Sequence, residues 1–281
     1  MSESVYVVNA FTANGENGNP AGVMPDADDM NKEAMLHAAT EVNLSETAFV
    51  GASEIATKRV RFFTPTVEVP LCGHATIATW SLLHQLGDVA VGIHTQETNA
   101  GILQVEVEDS GLVFMEQTPA TFYDEIEPND IAGLLGIEEA DFLDSLRPQI
   151  VSTGIKDLLI PVSTKSVLSK VKPDLEGIAE FSRQHDISGF HLFAILDDNQ
   201  SMAATRNFAP ADGIPEECAT GTSNGALLCL LRQKGLLPEQ DIYRIEQGET
   251  MNQLSYIYGT FKGENVWIGG EATVKDSPAK V

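Results

Sequence analysis

The chain has 281 residues, 43% of them hydrophobic and 21% charged, and its 17 basic and 41 acidic residues leave a formal net charge of −24. That length accommodates two compact domains, and the composition lies outside the disordered and fibrous classes. A surface so acidic repels phosphate backbones and anionic lipid, which sets aside nucleic acid and membrane as partners.

Val5 to Ala10 reads as an opening strand, and Gly18-Asn19-Pro20-Ala21-Gly22 as a tight turn leading to a short strand at Val23. Asp29 to Val42 has helical spacing, with Asp28 or Asp29 as N-cap and Met35, Leu36 and Ala39 facing inward. Asn43 to Val50 is a turn entering a strand, Arg59 to Thr64 alternates as another, and Ile77 to Leu86 is an apolar helix closed by Gly87. Its hydrophobicity on all sides predicts a helix wrapped by sheet. Val89–Thr95, Leu103–Glu108 and Leu112–Glu116 complete the first half as strands.

Thr118 to Pro128 is the expected crossing, giving domains of 1–118 and 119–269, with residues 270–281 returning to the first. The second half repeats the order. Strands are expected at Gln149–Thr153 and Leu158–Val162, a helix at Asp174–His185, and strands at Phe190–Leu196 and Met202–Phe208. A second apolar helix follows at Ser223–Lys234, then strands at Ile242–Gln247, Gln253–Thr260 and Val266–Gly269. Neither strict βαβ alternation nor a Gly-rich dinucleotide turn occurs, so the expected class is α+β, each half a curled mixed sheet or barrel around a central helix.

The two halves share a signature. Arg61, Phe63, Pro65 and Pro70 each have a like residue 145 positions on, at Arg206, Phe208, Pro210 and Pro215, and the helix-closing Gly87 and Gly235 lie 148 apart. A unit this long points to one duplicated domain rather than a solenoid. Offset 145 aligns Cys72 with Glu217, and a slip of one aligns it with Cys218. Both thiols sit just before a helix start, where unpaired N–H groups and the helix dipole bind carboxylate and lower a thiol pKa. Two such starts facing one ligand across a cleft would stabilise the enolate-like charge left when an α-proton departs. Gly73 and Gly221 keep side chains out of that approach.

Glu46 has no acidic partner in the second half, where Ile187-Ser188-Gly189-Phe190 stands in its place; partly buried, it would suit general acid/base work. His74 pairs with Thr222, which points to hydrogen bonding as their shared task. The remaining histidines lack ligand spacing, so no metal is expected. Cys229 falls inside the second apolar helix, where packing accounts for it. Three cysteines in a chain of this size are no disulfide framework, and neither a secretory segment nor a membrane-length apolar run is visible, so the expected setting is the cytoplasm.

At Gly18-Asn19-Pro20-Ala21-Gly22-Val23, Leu44-Ser45-Glu46-Thr47-Ala48-Phe49-Val50, Arg61-Phe62-Phe63-Thr64-Pro65, Glu68 to Thr76 and Phe208 to Gly221, the chain resembles the phenazine-biosynthesis PhzF-like family, which shares the diaminopimelate epimerase fold. The stretches span both halves in order. The resemblance implies two similar domains with a cofactor-free site between them, usually in a homodimer. It assigns Glu46 as the acid/base that moves a proton between carbons of an unsaturated cyclic hydroxy acid, helped by Gly73 and His74. The family's second acid stands in Glu-Asp-Pro before Ala-Thr-Gly, whereas this chain has Glu216-Glu217-Cys218 there, and Thr222 where Ser is frequent.

The expected function is therefore a cofactor-independent isomerase of a small carboxylate. Glu46, His74, Glu217, Cys72 and Cys218 are the catalytic candidates, and Asn19, Ser45, Gly73, Gly221 and Thr222 the substrate-binding ones. Two alternatives remain: a two-thiol racemase or epimerase using Cys72 and Cys218, and a non-catalytic carboxylate binder.

Overall fold

The computed structural model describes residues 4–197, 200–275 and 279–280, which divide into two compact units, 1–116 with 269–281 and 117–268. Unit 1 contains β1 (Ser4–Ala10), β2 (Asn19–Met24), α1 (Lys32–Val42), β3 (Thr47–Gly51), β4 (Lys58–Phe63), β5 (Glu68–Val69), α2 (Gly73–Gln85), β6 (Gly92–Thr98), β7 (Gly101–Val107) and β8 (Val113–Glu116). Unit 2 contains β9 (Thr121–Glu125), α3 (Pro128–Leu135), β10 (Gln149–Ser152), β11 (Lys156–Pro161), α4 (Lys165–Lys170) and α5 (Leu175–His185). It continues through β12 (Gly189–Ile195), β13 (Ala203–Ala209), β14 (Ile214–Glu217), α6 (Gly221–Gln233), β15 (Tyr243–Gln247), β16 (Ser255–Lys262) and β17 (Asn265–Gly270), the last two residues of which already belong to unit 1. The chain then returns to unit 1, where β18 (Ala272–Val274) and β19 (Ala279–Lys280) both pair antiparallel with β1. The class is mixed α and β. Among the described residues no helix is long and apolar enough to cross a membrane.

In unit 1, β1 runs antiparallel to β2, β2 parallel to β3, β3 antiparallel to β4, β4 parallel to β6, and β6 antiparallel to β7. Unit 2 has the same order: β10 antiparallel to β11, β11 parallel to β12, β12 antiparallel to β13, β13 parallel to β15, and β15 antiparallel to β16. Each parallel step needs a crossover, and helices or the helix-bearing loops supply it. Helix α2 is buried at every residue from His74 to Leu83, and α6 from Ser223 to Leu231. With strands on several sides, neither helix has a face left for water, which is why their sequences lack amphipathic spacing. The outer helices do face water on one side. Met35, Ala38 and Ala39 of α1 pack with Val5, Met24, Phe49 and Phe63, while Ile178 of α5 joins Leu158, Ile160, Phe190 and Phe208.

Two local expectations are corrected. Gly18–Gly22 is not a turn: Asn19 opens β2, Pro20 pairs with Asn9, and the chain reverses ahead of Gly18, whose φ of +81° leads into the strand. Proline is tolerated because the pairing of β2 with β3 begins only at Gly22, leaving no ladder bond for the missing N–H of Pro20 to break. The N-cap of α1 is Asn31, whose side chain accepts from Ala34 N; Asp28 accepts instead from Ala52 N at 2.7 Å. Within the stretch 118–128, Thr121–Glu125 form β9, which pairs antiparallel with β10.

Candidate active site

Three short segments of unit 1 converge: Asn19-Pro20 at the head of β2, Ser45-Glu46 just before β3, and Cys72-Gly73-His74 at the start of α2. The parallel pairing of β2 with β3 sets the first two side by side, and Gly22 N donates to Glu46 O at 3.0 Å. A Cβ on Gly22 would lie 2.7 Å from Thr47 Oγ1, so this close approach requires glycine. Cys72 is the N-cap of α2 in extended conformation, and no side chain caps the helix, which leaves its first N–H groups aimed outward.

His74 lies at the centre. Its Nε2 is 3.4 Å from Glu46 Oε2 and 3.4 Å from Ser45 Oγ, and its Nδ1 is 3.4 Å from Cys72 Sγ. Its side chain is 8% exposed and that of Glu46 22%, so the carboxylate is the member open to a ligand. Burial lowers the pKa of His74, with the negative charge of Glu46 and a backbone bond to Pro20 opposing it in part. A neutral imidazole has one donor and one acceptor nitrogen, so it can take a proton from, or give one to, the carboxylate and thiol beside it.

Glu46, Cys72 and His74 are, among the described residues, the one group of three metal-ligating side chains whose donor atoms lie within 4.8 Å of one another. The Glu46 carboxylate and the Cys72 thiol therefore lie near each other as well as near the ring, which gathers a carboxylate, an imidazole and a thiol at one point.

Unit 2 carries the other candidates. Gly221 opens α6 behind an N-cap at Thr220, again with no side-chain cap, and Thr153 Oγ1 donates to Thr222 O at 3.0 Å. Thr220 Oγ1 donates to Glu217 Oε2 at 2.9 Å. The strand register revises the alignment of the halves. In unit 1 Phe62 pairs with Val69, and in unit 2 Asn207 pairs with Glu217. The three extra residues of the second half therefore precede β14, at the 3-10 turn Pro210–Asp212. Arg61 bound to Glu68 at 2.7 Å and Arg206 bound to Glu216 at 2.8 Å occupy like places, as the register requires.

By this register the counterpart of Cys72 is Thr220 rather than Glu217 or Cys218, and Cys218 matches Pro70. The two thiols thus differ in setting. Cys72 caps a helix beside an imidazole, whereas Cys218 is 6% exposed, and burial, with the charge of Glu217, pushes its pKa up to about 11. The expected lowering of that thiol by a helix start does not hold, because Cys218 lies two residues ahead of the cap and is buried. Cys229 is buried within α6, as its place in an apolar helix implied.

Residues 8–277 match the family described as phenazine biosynthesis-like protein, PhzC-PhzF. The chain belongs to that family. This PhzC-PhzF member is 34% identical over 270 residues to a protein of Clostridium acetobutylicum named an uncharacterized isomerase, covering 90% of this chain and 88% of that one. It is also similar to the crystal structure of a Bacillus anthracis phenazine biosynthesis protein of the PhzF family, with 29% identity, a TM-score of 0.87 and complete coverage of both chains. A hydroxyproline epimerase of Agrobacterium vitis, solved with bound trans-4-hydroxy-L-proline, shares the fold alone: 13% identity, a TM-score of 0.63, and coverage of 99% and 90%.

Sequence reasoning missed a buried polar chain in unit 2. Ser223 Oγ donates to Asp157 Oδ2 at 2.5 Å, Asn207 Nδ2 is 3.4 Å from Ser223 Oγ and 3.3 Å from His191 Nδ1, and His191 Nε2 is 3.2 Å from Asn224 Oδ1. Asn224 Nδ2 donates to Gln247 Oε1 at 2.8 Å. The one signal in the sequence was an acid and an amide set into strands and a helix that are otherwise apolar, since such groups are buried only when bonded.

Proposed function

We propose that the chain is an isomerase that relocates a proton on a small carboxylate substrate, with Glu46 as the base. The observation that carries this reading is the Glu46–His74–Cys72 cluster beside the uncapped start of α2. Glu46 takes a proton from a carbon next to the substrate's acid or enol system, and the electron pair moves into that system as an enolate. The N–H groups at Gly73 and His74 stabilise the charge, and the proton returns at another carbon as the double bond shifts. His74, neutral at pH 7, holds Glu46 in place and relays its proton. Glu217 is the second acid in this scheme, with Gly221 and Thr222 binding the ligand and Asn19 and Ser45 lining the Glu46 side. No cofactor takes part in these steps.

The relatives named isomerases support the reaction class. The recurrent pairing order and the paired Arg61–Glu68 and Arg206–Glu216 bridges support an internal duplication as its origin. The register and the raised pKa of Cys218 weigh against the two-thiol racemase. A homodimer is proposed with this reading, and sedimentation tests it.

The experiment is proton exchange in deuterium oxide over a panel of small unsaturated and hydroxy carboxylates, read by mass spectrometry. Wild type should incorporate deuterium into at least one of them, and Glu46→Gln should be slower by at least ~10²-fold. An unchanged rate in Glu46→Gln would overturn the assignment. Thermal stabilisation by these compounds with no exchange in any of them would replace it with the non-catalytic binder.

A further inference from the structure

The second-unit loop is shaped from behind by a single turn. Gln247 ends β15 and is 1% exposed, yet five hydrogen bonds reach its amide group. Its Nε2 donates to Glu217 O at 2.8 Å and to Thr220 Oγ1 at 2.9 Å. Its Oε1 accepts from Thr220 N at 3.2 Å, from Asn224 Nδ2 at 2.8 Å and from Thr205 Oγ1 at 3.3 Å. Thr220 Oγ1, with its acceptor side taken by Gln247, points its own proton at Glu217 Oε2. One buried amide thereby orients the carboxylate of Glu217 through one hydroxyl.

The next residue adds an independent constraint. Gly248 has φ of +83°, and a Cβ there would lie 2.3 Å from Gln253 O and 2.8 Å from Cys218 O. The turn after β15 is therefore pressed against the backbone of Cys218. Thr250, in the same turn, donates to Glu216 Oε1 at 3.1 Å, the oxygen that Arg206 also binds. Residues 216, 217, 218 and 220 are each held by this turn. Unit 1 has a sparser version: Gln96, the buried amide of β6, accepts from Trp80 Nε1 and bonds Thr76 Oγ1, which donates to Cys72 O, so it reaches that loop at one residue and only through a hydroxyl.

We propose that Gln247 is a positioning residue: with Gly248 it forms the template that holds Glu217 and the Thr220 cap in working geometry. The proposal rests on the reading of Glu217 as the second acid. Gln247 itself touches no reacting atom. A buried amide with both hydrogens and its oxygen engaged leaves the loop one conformation, because any other strands polar groups without partners.

The test pairs two variants with two readouts. Gln247→Met fills the space and removes all five bonds; Gln247→Glu keeps an acceptor for Thr220 N–H and loses the donors to Glu217 O and Thr220 Oγ1. Hydrogen exchange of the peptide covering 216–221, which needs no substrate, should be at least ~10-fold faster in Gln247→Met and intermediate in Gln247→Glu. On a substrate found by the exchange screen, kcat should fall about 10- to 100-fold in Gln247→Met with KM within about threefold, and recover partly in Gln247→Glu. Exchange at 216–221 within twofold of wild type in either folded variant overturns the proposal, and equal losses of kcat in the two variants do so as well. Should Gln247→Met not fold, the Gln247→Glu exchange result decides by itself. If exchange rises as expected but Glu217→Gln turns over normally, the template stands and the role of Glu217 in the proposed function falls.

Discussion

Glu46 and His74 show how little of an acid/base site resides in residue type. Glutamate before a strand is ordinarily a solvated side chain, and a histidine at a helix start is ordinarily a cap. Here the parallel step from β2 to β3 carries the carboxylate to the edge of a buried imidazole, 3.4 Å away. Because burial lowers the pKa of His74 below that of a free imidazole, against the opposing charge of Glu46, the ring is neutral at pH 7. His74→Gln should therefore cut the exchange rate by about 10- to 100-fold, by removing the relay and loosening Glu46. Cys72→Ser, which keeps a hydrogen-bonding group beside Nδ1, should cost less than about tenfold. A loss in Cys72→Ser equal to that in Glu46→Gln would show instead that the thiol is an essential base.

Among the elements, the tightest tolerance is where β12 enters its sheet. Gly189 lies opposite Asp157 of β11, and a Cβ at that position would sit 2.0 Å from Phe208 O and 2.9 Å from Ala209 Cα, both backbone atoms of β13. Backbone in a central strand cannot move aside as a flexible side chain can. Gly189→Ala should accordingly destabilise the fold by about 3 kcal/mol in urea unfolding, against less than about 1 kcal/mol for Gly133→Ala in α3, where a Cβ meets nothing within 4 Å. Similar values for the two variants would mean that β12 and β13 separate readily. The position also bears on the site, since Asp157 is the far anchor of the polar chain that reaches Gln247.

For the whole molecule, that chain contributes opposing pH dependences. Burial raises Asp157 to about 6, so the folded state holds its proton more tightly, and this contribution is full below about pH 4 and lost as pH rises through 6. Burial lowers His191 to about 4, so the unfolded state binds that proton more tightly, and stability from this group is lost as pH falls from about 6.5 towards 4. The two slopes oppose each other across the same interval. Asp157→Asn keeps the acceptor for Ser223 and removes only the falling slope, so its stability should climb with pH between 4 and 6 more steeply than wild type. Parallel profiles for the two proteins in urea titrations at pH 4, 5 and 6 would contradict the burial of Asp157.

Much of the architecture was legible because it depends on local rules. Apolar runs too long to alternate marked α2 and α6, alternation and turn residues marked most strands, and the matched Arg, Phe and Pro positions marked two halves of like construction. The motifs around Glu46, Cys72-Gly73-His74 and Glu217 were visible as residues, since each is a short contiguous run of the chain. Their partners were not visible. Pro20 was misread as part of a turn because its strand is freed from ladder bonding only by where β3 begins. Cys72 was matched to the wrong residue because three extra residues before β14 shift the register, and hydrogen bonds between strands, not spacing along the chain, decide register. Asp157 gave only the faint signal of an acid in an apolar strand, and the role of Gln247 was not readable, because a buried polar side chain acquires meaning only from atoms dozens of residues away. Periodicity and turn chemistry, which act over a few residues, thus determined the elements, while long-range pairing in three dimensions decided which side chains meet and with what pKa.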